Sequence, residues 1–105
     1  MSTSAITRDE AIRRLHTVES KIRSLGVCRL ALFGSVLRNE ARPDSDVDVL
    51  VEFAPNEKTF DRFMALADLL EDTLQHRVEV LTTESLSPFI GPHILAEATD
   101  VLRAA

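Results

Sequence analysis

The stretch L-F-G-S-V-L-R-N-E-A-R-P-D-S-D-V-D-V-L-V, residues 32–51, contains the pattern that decides the fold. It joins the end of one apolar run, Val27 to Phe33, to a second run that begins at Asp46 and ends at Phe53. Both runs are short and rich in strand-forming residues, so each predicts a strand, and the largely apolar first run predicts a buried one. The stretch therefore predicts two strands linked by a polar connection that begins at Gly34-Ser35.

Two aspartates, Asp46 and Asp48, lie two residues apart on the second predicted strand and so point to the same face. Like charges that close repel each other unless a cation lies between them. Oxygen ligands at a partly open site favour Mg²⁺, which takes substrate phosphates as further ligands. Glu79, in the predicted strand R-V-E-V-L, is a candidate third carboxylate of a two-metal site. The alternative for the aspartate pair is a solvated edge strand or a polar turn.

The dipeptide Gly34-Ser35 follows the first predicted strand directly. Glycine at a strand end lets backbone amides approach a phosphate closely, and the Ser35 hydroxyl can donate to a phosphate oxygen. As a lone dipeptide it is more often a simple turn. The specific signal is the spacing: Gly34-Ser35 follows one hydrophobic strand, ten residues come next, and Asp46-x-Asp48 then opens the second strand.

The same stretch, from Ala31 to about Glu52, resembles the signature of the polymerase-β-like nucleotidyltransferases in their minimal (MNT) form. The resemblance implies that Gly34 and Ser35 hold the phosphates of a nucleotide and that Asp46 and Asp48 hold Mg²⁺. It further implies transfer of a nucleoside monophosphate from a triphosphate to a hydroxyl, with release of pyrophosphate. The later segment R-V-E-V-L-T, which contains Glu79, resembles the strand that carries the family's third carboxylate. The resemblance therefore implies that Asp46, Asp48 and Glu79 form the catalytic and metal-binding set, with two Mg²⁺ ions expected. Candidate nucleotide-binding residues are Gly34, Ser35, Arg38 and Ser45.

The sequence departs from the family pattern at two positions. Asn39 follows Arg38 where the family usually has glycine. Because Asn tolerates left-handed backbone geometry better than other non-glycine residues, we expect the turn to survive. Glu79 stands where the third carboxylate is usually Asp, and its extra methylene is expected to slow catalysis without preventing metal binding. For Arg38, the alternative to a phosphate contact is a solvated turn residue.

The remaining elements are predicted from caps and periodicity. Thr7-Arg8-Asp9-Glu10 has the form of a capping box, which starts a helix over residues 8–25 that Gly26 ends. Apolar periodicity predicts a second helix over residues 58–74, and residues 77–81 form a third strand. A final helical region carries Pro88 in its first turn and is interrupted by Gly91-Pro92. We therefore expect one α/β (α+β) domain over residues 1–105, with the polymerase-β-like fold and a small mixed sheet flanked by helices.

Composition limits the classes of function. The chain has 105 residues and a net charge of −5, which disfavours strong nucleic-acid binding over its surface. One cysteine, Cys28, fits a reducing compartment and a packed strand position. No segment is long and apolar enough for a membrane span, so we expect a cytoplasmic protein. We interpret the three histidines as structural or solvent-facing, and Phe60, Phe63 and Met64 as core rather than a base-stacking platform.

The resemblance extends to the antitoxin half of two-gene toxin–antitoxin pairs, whose partner is a helical HEPN-family RNase toxin. The preferred hypothesis is therefore an enzyme that transfers AMP from ATP to a hydroxyl of such a toxin. The second hypothesis is a catalytically weak or silent module that neutralises a partner by binding alone. Transfer to RNA or a small molecule is less attractive, since the chain offers no acceptor domain and no basic stripe. The role of four C-terminal apolar residues stays open between core packing and a partner surface: Phe89, Ile90, Ile94 and Leu95.

Overall fold

A mixed four-stranded sheet with the strand order β3-β2-β1-β4 organises the structure. The computed structural model describes residues 5–103. The helices are α1 (Arg8–Thr17), α2 (Glu19–Ser24), α3 (Gly34–Leu37), α4 (Phe60–Leu74) and α5 (Gly91–Glu97). The strands are β1 (Val27–Phe33), β2 (Val47–Phe53), β3 (Val78–Thr82) and β4 (Thr99–Leu102), and a 3₁₀ turn spans Thr83–Ser85.

The sheet combines two kinds of pairing. Strand β1 is antiparallel to both β2 and β4, whereas β2 and β3 are parallel and α4 connects them. A parallel pair needs such a crossover connection, and a helix usually supplies it. The predicted α/β class with a small mixed sheet and flanking helices is therefore confirmed.

The two faces of the sheet are covered unequally. Residues Leu32, Val47, Val49 and Val51 point to a face that packs against the helices, with α1 and α4 contributing Leu15, Leu66, Leu70 and Leu74. These side chains are fully buried and form the main core. The opposite face carries a smaller cluster of Ala31, Phe33 and Leu50, which Ile94 of α5 covers. Because side chains alternate along a strand, Asp48 shares this second face with Leu50.

The first predicted helix is divided into two. The backbone of Val18, with φ −117° and ψ 20°, separates α1 from α2. The predicted capping box is found only in its Thr7 half, because the Glu10 carboxylate pairs with Arg13 and Arg14. The Thr7 hydroxyl accepts a hydrogen bond from the Glu10 amide at 3.2 Å, and Gly26 has a φ of +91°. Periodicity alone did not reveal the break, since the apolar positions before and after it lie on nearly the same stripe.

The C-terminal region corrects the sequence prediction in two ways. Gly91-Pro92 begins α5 instead of interrupting a helix, because proline is tolerated in the first turn, where its missing N–H has no helical partner. Pro88 lies in the turn before that helix. The strand β4 was not predicted, since it has four residues and forms by pairing with β1. Of the C-terminal apolar residues, Ile94 is buried, while Phe89, Ile90 and Leu95 are exposed.

The interpretation of Phe60, Phe63 and Met64 as core was wrong for two of the three. The Phe60 side chain is 77% exposed and that of Met64 is 43% exposed, whereas Phe63 is partly buried. The buried positions of α4 are Leu66, Leu70 and Leu74, so the core stripe begins one turn later than the apolar pattern suggested. None of the helices in residues 5–103 combines the length and apolar character needed to cross a membrane.

The turn after α3 confirms the expected conformation of Asn39 and explains its side chain. Asn39 has a φ of +56°, and its Oδ1 accepts a hydrogen bond from the Arg8 amide at 2.8 Å. That amide lies in the first turn of α1, where backbone donors lack helical partners. Asparagine therefore tolerates the left-handed backbone and also caps the N-terminus of α1, whereas glycine would only tolerate the backbone.

We expect Asn39→Ala to lower the free energy of unfolding by about 2 kcal/mol, because it loses both the helix cap and the tolerance of positive φ. Asn39→Gly loses only the cap and should cost roughly 1 kcal/mol. Urea denaturation of the two variants beside the unchanged protein measures the difference. Equal losses for alanine and glycine would contradict a role of the left-handed backbone in the choice of residue.

Candidate active site

Carboxylates from two strands meet on the sheet face that α5 partly covers. Asp48 of β2 lies in register with Glu79 of β3, and the two strands are parallel neighbours. Neighbouring strands lie about 4.8 Å apart, so side chains in register on one face stand side by side. The predicted association of Glu79 with the aspartate pair therefore holds for Asp48, its direct neighbour.

Asp46 lies immediately before β2 and has an unsatisfied oxygen. Its Oδ1 is buried and has no hydrogen-bond partner. The Arg77 Nε lies 3.2 Å away, close enough for an ion pair, but the atoms do not meet hydrogen-bond geometry and the Arg77 side chain is 80% exposed. A solvated, poorly aligned cation compensates a buried carboxylate oxygen weakly. We therefore treat the Asp46 Oδ1 as unsatisfied despite the short distance to the Arg77 Nε. This oxygen is available to a ligand.

The environment of Asp48 disfavours its charged form. Burial, followed by the negative charge of Glu79 and hydrogen bonding with the Glu79 carboxyl, raises the pKa of Asp48 from 3.8 to about 6. The charge of Asp46 acts in the same direction, while that of Arg38 lowers the pKa. A bound cation stabilises the charged form of a carboxylate whose pKa is raised in this way by neighbouring negative charges.

The raised pKa makes stability depend on pH in the chelator-treated protein. The folded state binds the Asp48 proton more tightly than the unfolded state, so this group stabilises the fold below about pH 4 and the contribution disappears as the pH rises through about 6. We therefore expect Asp48→Asn to raise the melting temperature above pH 6, with the gain shrinking towards pH 4. Thermal denaturation of both proteins in EDTA from pH 4 to 8 measures this. A difference that does not change with pH would contradict the assignment.

Gly34 is packed directly against Asp48. Its φ is +79°, and a Cβ built on it would lie 2.2 Å from the Asp48 Oδ2. Only glycine avoids both the backbone strain and this collision. The adjacent Ser35 is partly buried in α3, and within residues 5–103 its hydroxyl makes no hydrogen bond. The structure thus brings the predicted Gly34-Ser35 turn to the carboxylates.

The two other candidate nucleotide-binding residues differ in their surroundings. Arg38 follows α3 and forms ion pairs with Glu40 and Glu97, while remaining close enough to Asp48 to influence its pKa. The Ser45 Oγ instead accepts a hydrogen bond from the Arg42 amide at 2.8 Å, which closes the turn before β2. Sequence reasoning missed Glu97, because no local pattern links α5 to Arg38.

The donor set fits a partly open site for a hard cation. All the candidate ligands are oxygens, Asp46 has an unsatisfied one, and the Asp48–Glu79 pair carries charge that a cation relieves. Across residues 5–103, however, no three potential metal-binding side chains are grouped closely enough to enclose an ion. Mg²⁺ is commonly held by one or two carboxylates together with substrate phosphates and water, which agrees with such an incomplete protein shell.

Two cavities lie away from these carboxylates. A groove of about 580 Å³ runs between α4 and β3 and is lined mainly by apolar side chains, including Phe60, Phe63 and Leu81. A cavity of about 530 Å³ at the C-terminal end of α4 is lined by polar and charged residues such as Asp72 and His76. We locate the chemistry at the carboxylates rather than in either cavity, since the unsatisfied oxygen and the raised pKa occur there.

Comparison with known proteins agrees with this site. Residues 15–101 match the nucleotidyltransferase domain family. The protein adenylyltransferase MntA of Thermococcus cleftensis is 35% identical over 101 residues, covering 96% of this chain and all of the relative. A protein of Methanocaldococcus jannaschii, provisionally assigned as a protein adenylyltransferase, is 44% identical over 77 residues, or 73% of this chain and 82% of the relative.

Solved structures show the same fold. One, provisionally described as a minimal nucleotidyltransferase, has a TM-score of 0.78 and 34% identity and covers 90% of this chain and 95% of its own. Another, the Shewanella oneidensis complex of a tri-AMPylated HEPN toxin with its MNT antitoxin, has a TM-score of 0.64 at 17% identity, covering 90% and 73%. Enzymes of this family use a nucleoside triphosphate and generally a divalent metal. The chain therefore belongs to the nucleotidyltransferase family and is a minimal nucleotidyltransferase.

Proposed function

We propose that this protein transfers AMP from Mg²⁺-bound ATP to a hydroxyl of a HEPN-type RNase toxin and so acts as an antitoxin. The observation that carries the proposal is the placement of Gly34 against Asp48, with Glu79 in register beside it. A phosphate-binding turn and a row of carboxylates are the two parts that nucleotidyl transfer requires, and they are adjacent here.

Each residue has a role in this proposal. Gly34 and Ser35 bind the phosphates through backbone amides and the serine hydroxyl, and Arg38 contributes positive charge. Asp46 and Asp48 would hold Mg²⁺, which when bound supplies Lewis-acid stabilisation of the charge that develops on the phosphates. Glu79 lies on the acceptor side and accepts the proton of the attacking hydroxyl. The hydroxyl oxygen bonds to the α-phosphorus as the bond to pyrophosphate breaks, and pyrophosphate leaves.

The choice of a protein acceptor rests on the relatives and on the surface. The relatives are named protein adenylyltransferases, and one structural neighbour is an antitoxin in complex with an AMPylated toxin. The chain also exposes large apolar side chains, among them Phe89 at 88% and Phe60 at 77%. We propose that these side chains belong to the surface that contacts the partner, because apolar groups at an interface are removed from water. The charge of −5 is compatible with a basic, RNA-binding partner.

Glu79 favours a second candidate function, neutralisation by binding alone. Its side chain is one methylene longer than the Asp we expect at this position, and a displacement of about 1 Å can cost roughly 10²-fold in rate. A protein that has lost catalytic activity would still retain the fold and the surface that contacts the partner. The two functions differ in whether neutralisation depends on the carboxylates.

The experiment that tests the proposal incubates the protein with α-³²P-labelled ATP, Mg²⁺ and a HEPN-type RNase. We expect label on the RNase and loss of its nuclease activity, both requiring Mg²⁺. A parallel titration with AMP-PNP, with and without Mg²⁺, measures nucleotide binding independently of the acceptor. Metal-dependent binding without labelling would favour the binding module, and no binding under either condition would contradict a nucleotide-dependent function.

A further inference from the structure

The guanidinium of Arg38 is held from two sides by carboxylates of different segments. Its Nε donates to the Glu40 Oε1 at 2.7 Å, and its Nη1 donates to the Glu97 Oε1. Glu40 lies in the connection after α3, whereas Glu97 is the last residue of α5, 59 positions along the chain from Arg38. The end of α5 is thus tied to the turn that follows Gly34-Ser35.

This arrangement leaves one side of the guanidinium free. Arginine has five N–H donors in a fixed planar fork. Glu40 accepts from the Nε N–H and Glu97 accepts from one N–H of Nη1. Across residues 5–103, Nη2 takes part in no hydrogen bond. The planar fork is suited to phosphate oxygens as well as to carboxylates. Two donors of Nη2 therefore remain available to an anion while both carboxylates stay in place.

Arg38 lies in the turn that forms the proposed nucleotide site. The Arg38 amide bonds to the Gly34 carbonyl at 3.2 Å, so Arg38 belongs to the same turn as the phosphate-binding residues. A long side chain in this position would otherwise sample many rotamers, since it is half exposed.

We propose that Glu97, together with Glu40, is a positioning residue that holds Arg38 so that its Nη2 binds a phosphate of the nucleoside triphosphate. This inference rests on the proposed function, because it needs a triphosphate at Gly34 and Ser35. Each exposed ion pair contributes little to folding stability on its own. Their effect is on binding, because a preorganised donor loses less conformational freedom when the ligand arrives.

The test measures the affinity of AMP-PNP in Mg²⁺ by isothermal titration for Glu97→Gln, Arg38→Ala and the double variant. We expect Glu97→Gln to weaken binding by about 5-fold, because the released Arg38 side chain must then lose its conformational freedom when the nucleotide binds. In the Arg38→Ala background the same substitution should have no further effect. The control is Glu84→Gln, which removes a more exposed carboxylate that pairs with Lys58 away from the site, 61% exposed against 28% for Glu97, and it should bind normally.

Three results would overturn the assignment. Tighter binding by Glu97→Gln would show that the carboxylate competes with phosphate for Arg38. An equal effect with and without Arg38, accompanied by a lower melting temperature, would show that Glu97 only secures α5. Unchanged binding would show that the clamp does not matter. If the unchanged protein itself fails to bind AMP-PNP with Mg²⁺, the proposed function fails, and the positioning role fails with it.

Discussion

Replacing both Asp46 and Asp48 by asparagine is expected to lower nucleotidyl transfer by at least about 10³-fold, because metal-assisted charge stabilisation contributes several kcal/mol to such reactions. Asparagine keeps the shape of the side chain and removes the charge that holds the cation. Metal-dependent binding of AMP-PNP should disappear together with the transfer activity. The labelling assay and the titration measure the two effects separately.

Loss of folding does not explain the expected result, and this can be checked directly. Asp48 is a destabilising charge in the metal-free protein, since burial and Glu79 raise its pKa to about 6. The double variant should therefore be as stable as the unchanged protein, or more stable, in EDTA at pH 7.5. A matched control is Asp61→Asn/Asp72→Asn, which removes two exposed carboxylates of α4 from outside the site and should leave activity unchanged.

The same double variant separates the two candidate functions. If the protein acts by AMP transfer, the variant should fail to protect cells that express the HEPN-type RNase. If it acts by occlusion, protection should persist, because the carboxylates do not determine the shape of the exposed apolar surface. Protection by a variant that has lost all labelling activity would overturn the enzymatic account of neutralisation.

The sequence predicted those parts of the site that depend on neighbouring residues. Because side chains alternate along a strand, the sequence predicted that Asp48 lies on the face of β2 away from the core valines. The valines on either side of Glu79 predicted the same alternation for β3. The left-handed backbone of Asn39 followed from its residue type. These features depend on periods and propensities that act within a few positions of the chain.

The parts that were missed depend on contacts between distant segments. The parallel register of Asp48 with Glu79 is set across α4, and the Arg38–Glu97 ion pair joins residues 59 positions apart. Strand β4 forms because its backbone pairs with the free edge of β1. The exposure of Phe60 has the same origin, since only the packed sheet decides which turn of α4 reaches the core.

Gly34→Ala is expected to lower both stability and activity although it leaves every charge in place. The new Cβ would lie 2.2 Å from the Asp48 Oδ2, on a backbone with a φ of +79°. Positive φ costs an alanine about 1–2 kcal/mol and overpacking about 1–3 kcal/mol, so we expect a loss of roughly 2–5 kcal/mol in the free energy of unfolding. Relief of the collision must displace the carboxylate, and a shift of about 1 Å is expected to lower activity by roughly 10²-fold.

A second glycine provides the matched control for this substitution. Gly26 also has a positive φ, +91°, and a Cβ there would lie 2.7 Å from the Glu57 Cβ, in contact with residues outside the site. Gly26→Ala should therefore lose stability yet bind AMP-PNP with Mg²⁺ normally at a temperature where it is folded. Normal binding by Gly34→Ala under the same conditions would contradict a role for this contact in the nucleotide site.

The packing of Gly34 on Asp48 can be tested even if the alanine variant is too unstable for assays of activity. Because the new Cβ collides with the Asp48 carboxylate, Gly34→Ala should cost less stability in an Asp48→Ala background than in the unchanged protein. The remaining cost there would be the strain of positive φ, about 1–2 kcal/mol. Urea denaturation of the four proteins gives the coupling energy, and a value near zero would show that the turn and the carboxylate do not touch.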